Sequence, residues 1–135
     1  AWLDGRRLQR GRARDLDHAL LATGFPYDSR TAVDNNVDRF AHLLRRCQGI
    51  RRAGSAALDL AFTAAGWLDG YWERKLQPWD LAAGCLLAAE AGCTLTDFDG
   101  GPADFRTGAV VVSNGRIHVE LLRALAEAGS AVRER

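Results

Sequence analysis

The stretch Gln77-Pro78-Trp79-Asp80-Leu81-Ala82-Ala83-Gly84 (QPWDLAAG, residues 77–84) stands where one periodicity gives way to another. Before it, Leu68-Asp69-Gly70-Tyr71-Trp72-Glu73 has the aromatic character of a strand. After it, alanine and leucine run on to Ala91, and Gly92 stands where a helix stops, so the spacing predicts a helix over 80–91. Asp80 opens that helix as its expected cap: a carboxylate there accepts first-turn amide hydrogens, and the helix dipole favours its charge.

The same strand-then-helix unit recurs on both sides. Leu20-Leu21-Ala22-Thr23-Gly24-Phe25 is a short apolar run stopped by Gly24 and Pro26. Asp28 to Thr31 can start a helix that carries Val33, Val37, Phe40, Leu43, Leu44 and Cys47 at helical spacing, closed by Gly49. A short strand around Ile50-Arg51-Arg52 leads to Ser55, the expected N-cap of a helix that ends at Gly66. Cys93 to Phe98 alternates as a strand, Val110-Val111-Val112 is a strand apolar on both faces, and a last helix carries Val119, Leu122, Leu125 and Ala126. Strands that alternate with helices and are apolar on both faces predict an α/β fold, a largely parallel sheet covered by helices. Residues 1–128 are read as one domain and the polar residues 129–135 as a frayed tail.

Composition narrows the function classes. The 135 residues are 47% hydrophobic and 26% charged, with a net charge of +1, which argues against nucleic acid or an anionic membrane as a bulk electrostatic partner. Arg6, Arg7, Arg10, Arg12 and Arg14 crowd one segment but lack the interleaved aromatics of a single-strand binder, so they read as a solvated edge. Cys47, Cys85 and Cys93 are odd in number and unpaired in pattern, which fits buried thiols in a reducing cytoplasm. Asp4-Gly5 signals a hairpin turn whose first strand would lie almost entirely before residue 1, so the chain is expected to be a fragment of a longer protein.

Three features could carry chemistry. Asp80 and Glu73 are seven residues apart across a loop and could face one crevice at a strand end. Gly54-Ser55-Ala56 places small residues and free amides at a helix start, where anions or hydroxyls bind. Each also has a plain structural reading, as a helix start, a solvated strand end or a serine cap. Asp97, Asp99 and Asp104 surround a Gly-Gly-Pro turn too sparsely for calcium, and Ser113-Asn114-Gly115 reads as a turn. His18, His42 and His118 are scattered, with no neighbour suggesting a nucleophile or a metal triad.

Taken together the motifs resemble the C-terminal half of the inositol monophosphatase family. Trp79-Asp80-Leu81-Ala82-Ala83-Gly84 is similar to the family signature W-D-x-A-[AG]-G, and the run from Arg52 to Asp59 is similar to R-x-G-S-A-A-x-D. Glu73 keeps the family's spacing to the aspartate, and Thr96 to Pro102 and Val112 to Asn114 also match. Cys93 replaces a family glycine. The resemblance implies the C-terminal half of a layered α-β-α-β-α sugar-phosphatase fold and Mg²⁺-dependent hydrolysis of a phosphorylated polyol, with homodimer formation common among members.

Carried onto this sequence, the resemblance makes Asp80 a metal ligand that also contacts substrate and Glu73 the acceptor of a substrate hydroxyl. Gly54, Ser55 and Ala56 line the substrate pocket, and Trp79 buttresses Asp80. The family's first signature, D-P-[IL]-D-G-T, which supplies most metal carboxylates, does not occur. No complete catalytic set is therefore expected in this chain, and Mg²⁺ is not expected to bind it tightly. The rival expectation is a non-catalytic, truncated binding or dimerisation module of the same fold.

Overall fold

A computed structural model describes the backbone of residues 1–133 and the side chains of residues 1–129. A two-residue turn at Asp4-Gly5, both with positive φ, joins strands β1 (Trp2–Leu3) and β2 (Arg6–Arg7) in an antiparallel hairpin, as the Asp-Gly pair predicts. The remaining strands are β3 (Leu20–Thr23), β4 (Gly49–Arg51), β5 (Gly70–Glu73), β6 (Thr94–Thr96) and β7 (Val110–Ser113). They form one sheet in the order β4-β3-β5-β7-β6.

The expected α/β layering is present, but the sheet is mixed rather than largely parallel. β3 is parallel to both β4 and β5, whereas β7 is antiparallel to β5 and to β6. A valine run buried on both faces reads the same in either direction, so its sequence holds no record of polarity.

Among the described residues four α-helices cover the sheet: α1 (Val37–Leu44), α2 (Ala56–Ala64), α3 (Pro78–Glu90) and α4 (His118–Arg133). Leu21, Trp72 and Val111 point to one side and pack with Leu43 of α1 and Leu121 and Leu125 of α4. Ala22, Tyr71, Val110 and Val112 point to the other and pack with Leu60 of α2 and Leu81 and Cys85 of α3. Gly84 lets α2 and α3 approach closely, since a Cβ built on it would stand 2.5 Å from Leu60 Cβ.

Helix ends correct two expectations. Helix α1 begins at Val37 rather than near Asp28, because Asn36 is held at φ 72° and residues 28–31 form turns. Asp80 is not the cap of α3: Gln77 is, Pro78 takes the first helical position, and Asp80 lies at the third, accepting the Gln77 N–H at 2.9 Å. The tail expected to fray from Gly129 starts inside α4, which runs to Arg133; residues 134–135 lie outside the described residues. Gly92 ends α3 as expected, with φ 86° and paired amide bonds from Gly92 and Cys93 back to Ala89 and Ala88.

Candidate active site

Strands β4, β3 and β5 run parallel, so their carboxyl ends share one edge of the sheet, and α2 and α3 both begin there. Helix N-termini and strand ends therefore converge on one place, as ligand crevices of α/β sheets require. A cleft of about 340 Å³ lies at that edge. Gly54, Ser55, Ala56, Glu73 and Asp80 all line it. Trp79 does not line the cleft, and its side chain is 76% exposed.

Glu73 ends β5 in a buried position. Its Oε2 accepts the Tyr71 hydroxyl, and Cβ-less Gly24 makes room for the carboxylate. Burial pushes the Glu73 carboxyl up from its ordinary value; the Tyr71 hydrogen bond and the Arg52 charge oppose this, and Asp80 adds to it. Tyr71 itself is pushed upward by burial and by Glu73, so it stays a hydroxyl donor. Asp80 is half-buried, and with Oδ2 holding the start of α3 its Oδ1 is left for the cleft. Ser55 caps α2 through its Oγ, 3.3 Å from the Leu58 amide, while Gly54 turns the chain at φ 93°.

The edge is held rigid by a buried polar knot. Asn36 donates to Thr23 Oγ1 and to the Gly24 carbonyl at 2.9 and 2.7 Å and accepts from the Trp72 indole at 2.8 Å. Thr23 in turn donates to the Trp72 carbonyl at 2.6 Å. These bonds lock the ends of β3 and β5 together, and with them Gly24 against Glu73. On the outer side of the knot, Asp34 pairs with Arg39 and Arg74, and both guanidinium groups lie over the Phe98 ring.

Three cleft residues escaped the sequence reading as functional candidates: Gly24, Arg52 and Asp59. Asp59 is 1% exposed and its Oδ1 has no hydrogen-bond partner, and burial beside the Glu73 charge pushes its carboxyl up to about 6. Its position in the Arg52-to-Asp59 run, one helical turn after Ser55, was the available signal. One of the scattered histidines, His118, has hydrogen-bonding neighbours that the sequence did not show. Ser113 Oγ lies 2.8 Å from His118 Nδ1, and His118 Nε2 lies 2.9 Å from Thr96 Oγ1. Ser113 is fully buried, however, so this is an internal hydrogen-bond chain with no path for a substrate.

Among the described residues no group of three or more His, Cys, Asp or Glu side chains could hold a metal ion. Asp80 alone is an incomplete donor set for Mg²⁺, which needs further oxygen ligands to replace its water shell.

The sequence profile of the inositol monophosphatase family matches residues 1–130. The chain belongs to the inositol monophosphatase family. It is 48% identical over 126 residues to an inositol-1-monophosphatase of Synechocystis, covering 93% of this chain and 44% of the relative. It is 47% identical over 117 residues to Nus factor SuhB of Escherichia coli K12, covering 87% of this chain and 44% of that protein. Its fold superposes on inositol monophosphatase from Anabaena with a TM-score of 0.88 at 48% identity, over 90% of this chain and 50% of that one. The chain thus spans about half the length of the relatives it matches. Members of the family are phosphatases, and the family is generally metal-dependent. Among the described residues of this member, no helix is long and apolar enough to cross a membrane.

Proposed function

We propose that this chain is the substrate-side half of a Mg²⁺-dependent phosphomonoesterase that hydrolyses inositol phosphate or a related sugar, cyclitol or alcohol phosphate. The observation that carries the reading is the single cleft onto which Glu73, Asp80 and the Gly54-Ser55-Ala56 turn converge at the strand ends. In this reading Asp80 Oδ1 is one ligand of a metal site whose other ligands lie outside this chain. The bound metal would neutralise the phosphate and activate a water molecule. Glu73 accepts a hydrogen bond from a substrate hydroxyl through the oxygen that Tyr71 leaves free, which orients the ring. The small residues at 54–56 let the polyol approach the first turn of α2, where the Ala56 and Ala57 amides have no helical acceptor.

The chain alone is proposed to be inactive, its natural partner being the metal-binding half of the same enzyme, and the assembled protein a cytoplasmic homodimer. Joining residues 1–135 to the N-terminal half of a close relative should give Mg²⁺-dependent phosphate release. Asp80→Asn in that protein should abolish the release; near-normal turnover would overturn the ligand assignment.

A second reading, a non-catalytic binding or dimerisation module, is favoured by the likeness to a protein named for its role as a Nus factor. It requires that the joined protein show no turnover while residues 1–135 still self-associate in sedimentation experiments.

A further inference from the structure

Asn36 occupies the N-cap position of α1, yet its side chain gives that helix nothing. It makes no capping bond, and the Val37 amide is taken by Asn35 Oδ1 at 3.0 Å. Its backbone is held at φ 72°, in the left-handed region that residues with a Cβ rarely adopt. Local preference is broken twice at one buried residue, the pattern expected where a site imposes its own geometry.

The side chain is instead fully committed to the strand ends. Nδ2 donates to Thr23 Oγ1 and to the Gly24 carbonyl, and Oδ1 accepts from the Trp72 indole. The partners fix which way the amide faces, since a carbonyl can only accept and an indole N–H can only donate. The bond to Gly24 holds the peptide of the residue whose bare Cα lies against the Glu73 carboxylate. The bond to Trp72 anchors the residue directly before Glu73. Asn36 itself does not line the cleft.

We propose that Asn36 is a positioning residue for the cleft: acting through the Gly24 peptide, it sets the place of the Glu73 carboxylate and so how tightly a substrate hydroxyl is held. This rests on the proposed function above and adds to it a residue that never touches substrate. Without the Asn36 amide, the Gly24 peptide can tilt into the carboxylate. The Tyr71 bond, the one hydrogen bond the described residues give Glu73, is then the first to break.

The test pairs a spectroscopic signature with a kinetic split. Asn36→Gly removes the amide and leaves the left-handed backbone unstrained. In residues 1–135 the Tyr71 hydroxyl proton should then exchange at least about tenfold faster, the scale of a lost hydrogen bond to a charged group. Thr23→Val loosens the same knot but keeps the Gly24 bond, so it should lower the unfolding midpoint and leave that exchange unchanged. In the protein joined to a metal-binding half, Asn36→Gly should raise KM for inositol 1-phosphate about tenfold with kcat nearly kept, because a bond made in ground and transition state alike acts on KM. A purely structural role would instead thin the folded population and lower apparent kcat at unchanged KM. Should Asn36→Gly fail to fold, Asn36→Asp, which keeps the acceptor for the indole and loses both donors, carries the same expectations. Wild-type exchange of the Tyr71 hydroxyl in the folded variant overturns the positioning role and leaves the proposed function standing. Faster exchange with a wild-type KM overturns the assignment of Glu73 as hydroxyl acceptor, on which both rest.

Discussion

The Glu73 carboxylate rests directly on the Cα of Gly24: a Cβ built there would lie 2.2 Å from Oε1 and 2.4 Å from Oε2. The last residue of one strand thus depends on the absence of a side chain just past the end of its neighbour. Gly24→Ala should expel the carboxylate, break its bond to Tyr71 and weaken polyol binding at least about tenfold, with a stability loss of about 1–3 kcal/mol. Amide titration with myo-inositol alongside thermal unfolding checks both effects. Wild-type binding in Gly24→Ala would mean that Glu73 reaches the ligand from another position.

Gly84, in the stretch from Gln77 to Gly84, has a different task. Gly84→Ala places a methyl group 2.5 Å from Leu60 Cβ and should destabilise the α2–α3 pair by about 1–3 kcal/mol. Leu60→Ala alone should cost about 2–5 kcal/mol through its cavity. Combined, the two should cost somewhat less than their sum in urea denaturation, because Leu60→Ala removes the Cδ1 and Cγ that would lie 2.8 and 3.2 Å from the added methyl, while Cβ at 2.5 Å stays. Additive effects would show that the helices slide apart instead.

Asp59 gives the fold an uncommon pH dependence. Its carboxyl is pushed up to about 6 in the folded chain, against 3.8 without the fold. Between those values the folded state binds more protons than the unfolded state, so this contribution is present below pH 4 and lost as pH rises through 6. Glu73, also raised, acts in the same direction. His118 acts in the opposite one: burial lowers its pKa below 6.5, so the unfolded chain is protonated first and stability falls as pH drops through that region. Asp59→Asn isolates the aspartate. It should be more stable than wild type by about 1–2 kcal/mol at pH 7.5, with the advantage vanishing by pH 4. Urea midpoints of both proteins at the two pH values decide this, and a pH-independent difference would contradict it.

Asp69 links three segments. Its Oδ1 accepts from the Ala13 amide at 3.1 Å and the Asn114 side chain at 3.2 Å, and its Oδ2 accepts from the Leu20 amide at 3.1 Å. Asp69→Ala strands all three donors and should cost about 3–5 kcal/mol, a large share of the stability of a domain this size. A shift of thermal midpoint of only one or two degrees would show that water replaces the carboxylate at this junction.

The parts of the fold that were legible in sequence are those set by neighbours along the chain. The Asp4-Gly5 turn, the Ser55 cap, the Gly92 stop and the alternation of strands with helices all follow from local backbone preference and periodicity. Cleft membership of Gly54, Ser55, Ala56, Glu73 and Asp80 followed from placing each at a strand end or helix start. Contacts between distant residues were not legible. Gly24 read as a strand stop, whereas its fit against Glu73 depends on the register of β3 with β5. Asn36 read as part of a helix, whereas its side chain is committed to Thr23, Gly24 and Trp72, and this holds the backbone in the left-handed region that delays α1. Asp59 entered only as the last residue of the Arg52-to-Asp59 motif match, and only the packing of α2 over β5 reveals that its oxygen is buried without a donor.

The most direct measurement is phosphate release from inositol 1-phosphate in the presence of Mg²⁺, made on residues 1–135 alone, on the same residues joined to a metal-binding N-terminal half, and on the joined protein carrying Asp80→Asn. The expected result is no release from the chain alone, robust Mg²⁺-dependent release from the joined protein, and loss of at least about a hundredfold with Asp80→Asn, the scale on which removal of an electrostatic catalytic group is felt. Turnover by residues 1–135 alone, or by the Asp80→Asn protein at near-normal rate, would contradict the assignment of this chain as the substrate-side half of the site.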